Sequence, residues 1–325
     1  MAGSLTVFRK ELADHLGSKR YLILFTIIIL LSSLSAYQGS QYLKNNPNLG
    51  FLAIFSGQMF GFSFIQLMVF FGPIIGLSLG FDAINKERTS GSLSTLLSQP
   101  IFRDSVINGK FLAGAAALSI MTVSTIGIMI GMAIPLLGFG PTLDGILNII
   151  SLTLLTIMYL AFWLSLGLLF SVLTKKTSTS MLASVATWLT CVIVISMLAT
   201  LIANAVVPIT FTPTTTIGNA TVPGRQNPQQ TSEYRALMEQ RFSIQNMILK
   251  ISPTNLYSEA ASAILGVIAS SSFIGIDRST PFRSLTLSQG LAASWANITI
   301  IAIGLLVCFI VSYIKFLRME IRPGG

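Results

Sequence analysis

Apolar residues run in long unbroken stretches through most of the chain, not at the spacing of one helix face. A helix rises 1.5 Å per residue, so crossing a hydrocarbon core of about 30 Å takes about 20 apolar residues. Six stretches meet that requirement, at about 21–37, 58–81, 111–138, 146–173, 181–204 and 290–314. The first is short enough to be mistaken for a signal peptide. The Ser33-Leu34-Ser35-Ala36 that closes it is a poor cleavage site, and five more stretches follow, so it reads as a retained anchor. The run 260–276 is moderately apolar. Its Ser, Gly and Ala content gives weak insertion, so an interfacial or external helix is expected there, not a seventh span.

Composition sharpens this picture. Apolar residues make up 52% of the 325 residues and charged ones 10%, against about 25% in soluble domains. A soluble enzyme, a disordered chain and a secreted disulfide scaffold are excluded, because none keeps so few charges on so apolar a chain. Cys191, Cys308 and the single His15 build neither a metal site nor a disulfide framework. The net charge of +9 does not point to nucleic acid, since no basic stripe with interleaved aromatics is present. The cations mark topology instead. Arg9, Lys10, Lys19 and Arg20 precede the first span, and Lys86, Arg88, Arg103 and Lys110 fill the second connection. Lys175 and Lys176 fill the fourth, and Lys315, Arg318 and Arg322 follow the last span. The opposite short loops carry only Lys44, which predicts both termini in the cytoplasm of a multi-pass cell-membrane protein.

No span has an Asp, Glu, Lys, Arg or His in its interior; Asp82 and Lys110 stand at ends. Ionisable groups inside a bilayer mark proton relays, ion sites and catalytic centres. Proton-coupled transport and intramembrane metallo-, serine or aspartyl proteolysis are therefore disfavoured. Small residues at spacing four do recur: Gly57 and Gly61, then Gly72, Gly76 and Gly80, then Gly127 and Gly131. They predict close helix packing, within one chain or across a dimer seam.

Two regions outside the spans have amphipathic character. Residues 1–20 place Leu5, Phe8, Leu12 and Leu16 on one helical face, with Arg9, Lys10 and Asp14 opposite, as expected of an interfacial helix. Loop 82–110 is dense in charge, with Leu93, Leu96 and Leu97 on a short apolar face and Pro100 as a stop. Such an exposed helix suits a partner's groove.

The order Asp82, Ile84, Glu87-Arg88, Gly91, Leu93, Leu96-Leu97, Pro100, Arg103 and Gly109-Lys110 resembles the cytoplasmic signature of ATP-binding cassette (ABC) permeases of the type-2 exporter class. The opening Phe8-Arg9-Lys10-Glu11-Leu12 and the Ser252-Pro253 ahead of the last span are similar to the same class. Ser92 and Ser94 depart from it, standing where Thr and an acidic residue are usual. The resemblance implies an all-α membrane protein with six spans in 21–204 and 290–325. It also implies a cytoplasmic coupling helix within 82–110 and an external helical segment over 205–289. Asp82, Ile84, Glu87, Arg88, Gly91, Leu93, Leu96, Leu97 and Pro100 would meet a separate ATPase subunit. ATP and magnesium would sit on that subunit, and a second permease copy, identical or related, would complete the pathway. This chain has no phosphate-binding loop: its only Gly-Lys, Gly109-Lys110, is followed by Phe111 and has Asp104 where the first Gly belongs. The expected function is thus the non-enzymatic permease subunit of an ATP-driven transporter, an exporter. The alternative is a membrane-embedded scaffold or assembly factor.

The external segment is read as a loop over 208–231, then a helix carrying Tyr234, Leu237, Met238, Arg241, Gln245, Ile248 and Leu249, then a helix capped by Ser252 with Pro253 in its first turn. Asn219-Ala220-Thr221 forms a glycosylation sequon in that loop.

Overall fold

A computed structural model describes residues 2–46, 49–56, 63–89, 102–208, 214–217, 220–223, 232–266 and 286–319. In chain order the helices are α1 Ala2–Gly17, α2 Lys19–Asn45, α3 Ala53–Ser56, α4 Phe64–Gly80, α5 Asn85–Thr89, α6 Arg103–Leu137, α7 Leu143–Leu173, α8 Thr177–Leu189, α9 Ile195–Val206, α10 Ser232–Leu249, α11 Pro253–Ile264 and α12 Leu287–Leu317. Among the described residues, six stretches are long and apolar enough to cross a membrane: Lys19–Asn45, Phe64–Thr89, Arg103–Leu137, Leu143–Leu173, Thr177–Val206 and Leu287–Leu317. The fold is an all-α membrane fold among the described residues, apart from one short hairpin. Its outward surface is correspondingly apolar. Ile23, Leu30, Val123, Leu154, Leu182 and Leu201 are all more than half exposed, as only lipid or another apolar surface tolerates in such number.

The chain divides into two units, Met1–Trp188 with Leu256–Gly325, and Leu189–Asn255. In the first, α7 is the central post: α4 and α12 both pack along it, and α1 and α2 pack on α6. The Gly72-Gly76-Gly80 stripe of α4 explains the closest contact. A Cβ on Gly76 would stand 2.8 Å from the Leu160 carbonyl oxygen, and one on Gly80 2.6 Å from that of Leu164. Backbone meets backbone there, so this stripe is packing within the chain. Gly127 and Gly131 of α6 have nothing of their own chain within 4 Å of a built Cβ. Gly57 and Gly61 lie outside the described residues.

In the second unit, α10 packs on α9, and Gln245 Nε2 donates to Thr200 Oγ1 at 3.2 Å. Residues Thr190–Val194 form a π-turn ahead of α9. The Ile195 N–H, which an α-helix would give to Cys191, reaches Thr190 O instead. The Cys191 carbonyl accepts from the Ser252 hydroxyl at 2.7 Å. Ser252 was expected to cap α11; its hydroxyl also lies 2.6 Å from Thr254 Oγ1. The loop expected over 208–231 contains an antiparallel hairpin, Thr214–Ile217 with Ala220–Pro223, in the register Ile217↔Ala220. The run of Thr, Ile and Val suits strands.

The moderately apolar run 260–276 does not make a seventh candidate span among the described residues, since α11 has only 12 residues and ends at Ile264. It is also not a helix lying free on a surface. Leu256, Tyr257, Ala260, Ala261 and Ile264 are each at most 2% exposed. The Tyr257 ring stacks on that of Tyr159 at 4.3 Å between centroids, and its hydroxyl lies 3.0 Å from Thr156 Oγ1. Glu259 Oε2 accepts from Asn297 Nδ2 at 3.0 Å, and a Cβ on Gly290 would stand 2.5 Å from the Ala263 carbonyl oxygen. α11 therefore touches α7 and α12 at these points inside the first unit.

Candidate coupling site

The end of the first unit that carries both chain termini gathers α1, α5, the start of α6 and the end of α12. α4 stops at Gly80, and the chain turns through Asp82 into α5. A helix start leaves backbone N–H groups without intrahelical acceptors. Here one hydroxyl of α7 takes two of them: Ser171 Oγ accepts from Ile84 N at 3.0 Å and from Asn85 N at 3.1 Å. One turn further along α7, Thr174 Oγ1 accepts from Asn85 Nδ2 at 2.9 Å. The Ile84 side chain is fully buried with Val106 and Ile107 of α6, Leu168 and Val172 of α7, and Phe316 near the end of α12. A five-residue helix has little stability of its own. This one is fastened by two α7 hydroxyls and by an isoleucine set among three spans.

Charge completes the arrangement. The Lys110 side chain is 3% exposed, and its ammonium lies 2.8 Å from Glu87 Oε1 of α5 and 3.0 Å from Glu11 Oε1 of α1. Three elements thus share one buried cation. Desolvating an ammonium is costly, and two charge-assisted hydrogen bonds offset that cost only when both are kept. Asp82 pairs with Arg20 at 2.6 Å, whose guanidinium lies 5.6 Å from the centroid of the Phe81 ring. That arginine is more than half exposed, so its pair contributes about 0–1 kcal/mol. Arg103 donates to the carbonyls of Met319 at 3.0 Å and Leu317 at 3.4 Å, where a cation suits a helix C-terminus. Arg88 Nη1 lies 3.8 Å from Met319 Sδ.

A polar cavity of about 270 Å³ opens beside the cluster and is lined by Glu11, His15, Arg20, Asp82, Glu87 and Lys110, among others. Burial holds the His15 imidazole below its ordinary value of 6.5, against the opposing pull of Glu11. The ring is neutral at pH 7. His15 borders this cavity.

The site residues expected from sequence divide in two. Asp82, Ile84, Glu87 and Arg88 are described and gathered here. Gly91, Leu93, Leu96, Leu97 and Pro100 lie outside the described residues. Sequence reading did not single out Glu11, Ser171 and Thr174, and it left Lys110 as an end-of-span cation. Two signals were available: Val7 and Glu11 share a face at spacing four, and Ser171 and Thr174 close the fourth span at spacing three. Val7 is 5% exposed and Glu11 8%, so this face packs on α6, while Leu5 of the expected apolar stripe is 51% exposed.

The family model for ABC-2 family transporter proteins matches residues 5–321. The chain belongs to the ABC-2 transporter family. The match takes in most of α1, all six candidate spans and the site just described. Two curated relatives are similar in part. The "probable ABC transporter permease protein NosY" of Pseudomonas aeruginosa is 33% identical over 122 residues, 38% of this chain and 42% of that protein. The protein of the same name from Stutzerimonas stutzeri is 31% identical over 161 residues, 48% of this chain and 56% of the relative. The chain thus spans about half the length of the curated relatives it matches.

Proposed function

We propose that this chain is the permease subunit of an ATP-driven ABC transporter, an exporter, working as a pair with two separate ATPase subunits. The observation that carries this reading is the fastening of Ile84 and Glu87 to α1, α6, α7 and α12 at once. A push on the segment after Thr89 passes through buried contacts into three spans and the N-terminal helix. The six spans themselves contain no ionisable residue at mid-depth to couple an ion gradient, so the work enters from outside the bilayer. ATP and magnesium sit on the partner, and this chain performs no hydrolysis.

In this reading the end with both termini faces the cytoplasm, where the Lys and Arg of the short loops gather. Leu93, Leu96 and Leu97 fill a groove of the ATPase. Glu87 and Arg88 stand at the root of that contact, and Lys110 couples Glu87 to α1 and α6. The pathway forms between two copies in the bilayer. The Lys110→Met variant separates docking from coupling: the ATPase still co-purifies, while its stimulation by the permease falls. If both are unchanged, Lys110 has no part in coupling. If no ABC ATPase accompanies the wild-type chain, the scaffold alternative takes over.

A further inference from the structure

We infer that the polar cavity beside Lys110 is a proton-sensing site, where a proton on His15 draws Glu11 away from Lys110 and loosens α1 from α6. The inference deepens the permease reading and rests on it for the cytoplasmic setting and for any effect on ATP turnover.

Placement is the first argument. α1 packs along α6, and residues at spacing four share one helix face, about 6 Å apart along the axis. Val7, Glu11 and His15 form such a row on α1. Val7 sits on the start of α6, since a Cβ on Gly109 would stand 2.7 Å from its Cγ1. One turn on, Glu11 Oε1 meets the Lys110 ammonium at 3.0 Å. One turn further, His15 lines the cavity. The single histidine of the chain is thus four residues from the carboxylate that ties α1 to α6.

Charge balance is the second argument. Of the groups facing the cavity, α1 supplies Lys10, Glu11 and Asp14, α2 supplies Arg20, and the turn into α5 supplies Asp82. α5 adds Lys86 and Glu87, and α6 adds Lys110. These are four carboxylates and four cations, so the walls balance while the ring is neutral. A proton on His15 adds a fifth cation, and imidazolium and ammonium then compete for Glu11. A buried ammonium deprived of one of its two charge-assisted hydrogen bonds is poorly offset against its desolvation.

Linkage is the third argument. Burial lowers the value of the His15 imidazole; of the charges, Glu11 raises it most, ahead of the opposing Lys110 and then Asp82 and Asp14. The arrangement that buries the ring therefore binds a proton less well than one in which the ring meets water, and acid favours the second. No other side chain facing the cavity has an ordinary value between pH 5 and 8.

The complex of permease and ATPase in proteoliposomes tests this. ATP hydrolysis is measured from pH 7.5 to 5.5 and divided at each pH by that of the ATPase alone. The expected result is a stimulation that falls about fivefold with acid in wild type and keeps one level across the range in His15→Gln. An equal fall in His15→Gln overturns the role of His15, and no fall in wild type overturns the sensor. A second measurement needs no ATPase. In the full chain with Cys191→Ala and Cys308→Ala, nitroxides on Ala13→Cys and Leu112→Cys, both exposed positions, report the spacing of α1 and α6. Their dipolar broadening is expected to weaken from pH 7.5 to 5.5, and to stay constant when His15→Gln is added. Broadening unmoved by pH overturns the loosening of α1, whether or not an ABC ATPase accompanies the chain. Absence of that ATPase from the wild-type complex counts against the permease reading alone.

Discussion

Glu87 and Glu259 are the same residue in opposite settings. Glu87 lies 2.8 Å from a lysine that is itself buried and also held by Glu11. Glu259, among the described residues, accepts from the amide of Asn297. A carboxylate held by a buried ammonium depends on that partner far more than one held by a neutral amide. The end bearing the termini is tied together by a buried ion pair, and α11 meets α12 through a neutral amide.

The sharpest way to break that comparison is to remove the shared cation. Lys110→Met leaves two carboxylates facing each other without an ammonium, and the expected cost is about 3–5 kcal/mol. Glu259→Gln keeps the amide hydrogen bond and is expected to cost less than about 1 kcal/mol. Thermal unfolding of both variants in one detergent checks the ordering, and equal losses would erase the distinction between the two sites.

The next largest effect sits where α4 touches α7. Gly80→Ala pushes a methyl to 2.6 Å from the Leu164 carbonyl oxygen, with an expected loss of about 1–3 kcal/mol. Gly127→Ala meets open space and is expected to shift stability by less than about 0.5 kcal/mol in the isolated chain. A large loss for Gly127→Ala in membranes, and not in the dissociated chain, would place a second copy on that face of α6. Smaller still is Arg20→Gln, which removes a half-exposed pair and is expected to cost about 0–1 kcal/mol in the same assay.

The smallest effect is a slope. The His15 imidazole is held below its ordinary value in the folded chain, so the unfolded chain takes up a proton first as pH falls. Stability tied to the neutral ring is present above about pH 6.5 and is lost as pH drops below it toward the lower folded value. Unfolding midpoints measured from pH 7.5 to 5.5 are expected to fall more steeply for wild type than for His15→Gln. Equal slopes would place His15 outside the cavity.

These features differ in how far the sequence alone discloses them. The six spans are legible because nothing but a bilayer calls for runs of 20 apolar residues. α6 starts at Arg103, two turns before the apolar run at Phe111, since hydropathy reports where lipid begins and not where the helix does. The Glu11–Lys110–Glu87 contact was out of reach, because it joins residues 99 and 23 positions apart through packing that no periodicity encodes. The packing of α11 was out of reach for a related reason. Its Ser and Ala content reads as weakly inserting in lipid, but its neighbours are α7 and α12, where small residues permit close approach. The hairpin strands were missed because Thr214–Ile217 and Ala220–Pro223 lie in a Pro- and Thr-rich stretch that reads as a loop.

The central claim is that work enters this chain through the segment leaving α5. Its most direct test is co-purification of the ABC ATPase with tagged chain in which Leu96 or Leu97 is replaced by Asp. A charge buried in an apolar groove without a partner costs several kcal/mol. The account predicts that either variant, folded and inserted as wild type, loses most of the bound ATPase. Wild-type recovery with both variants would contradict it.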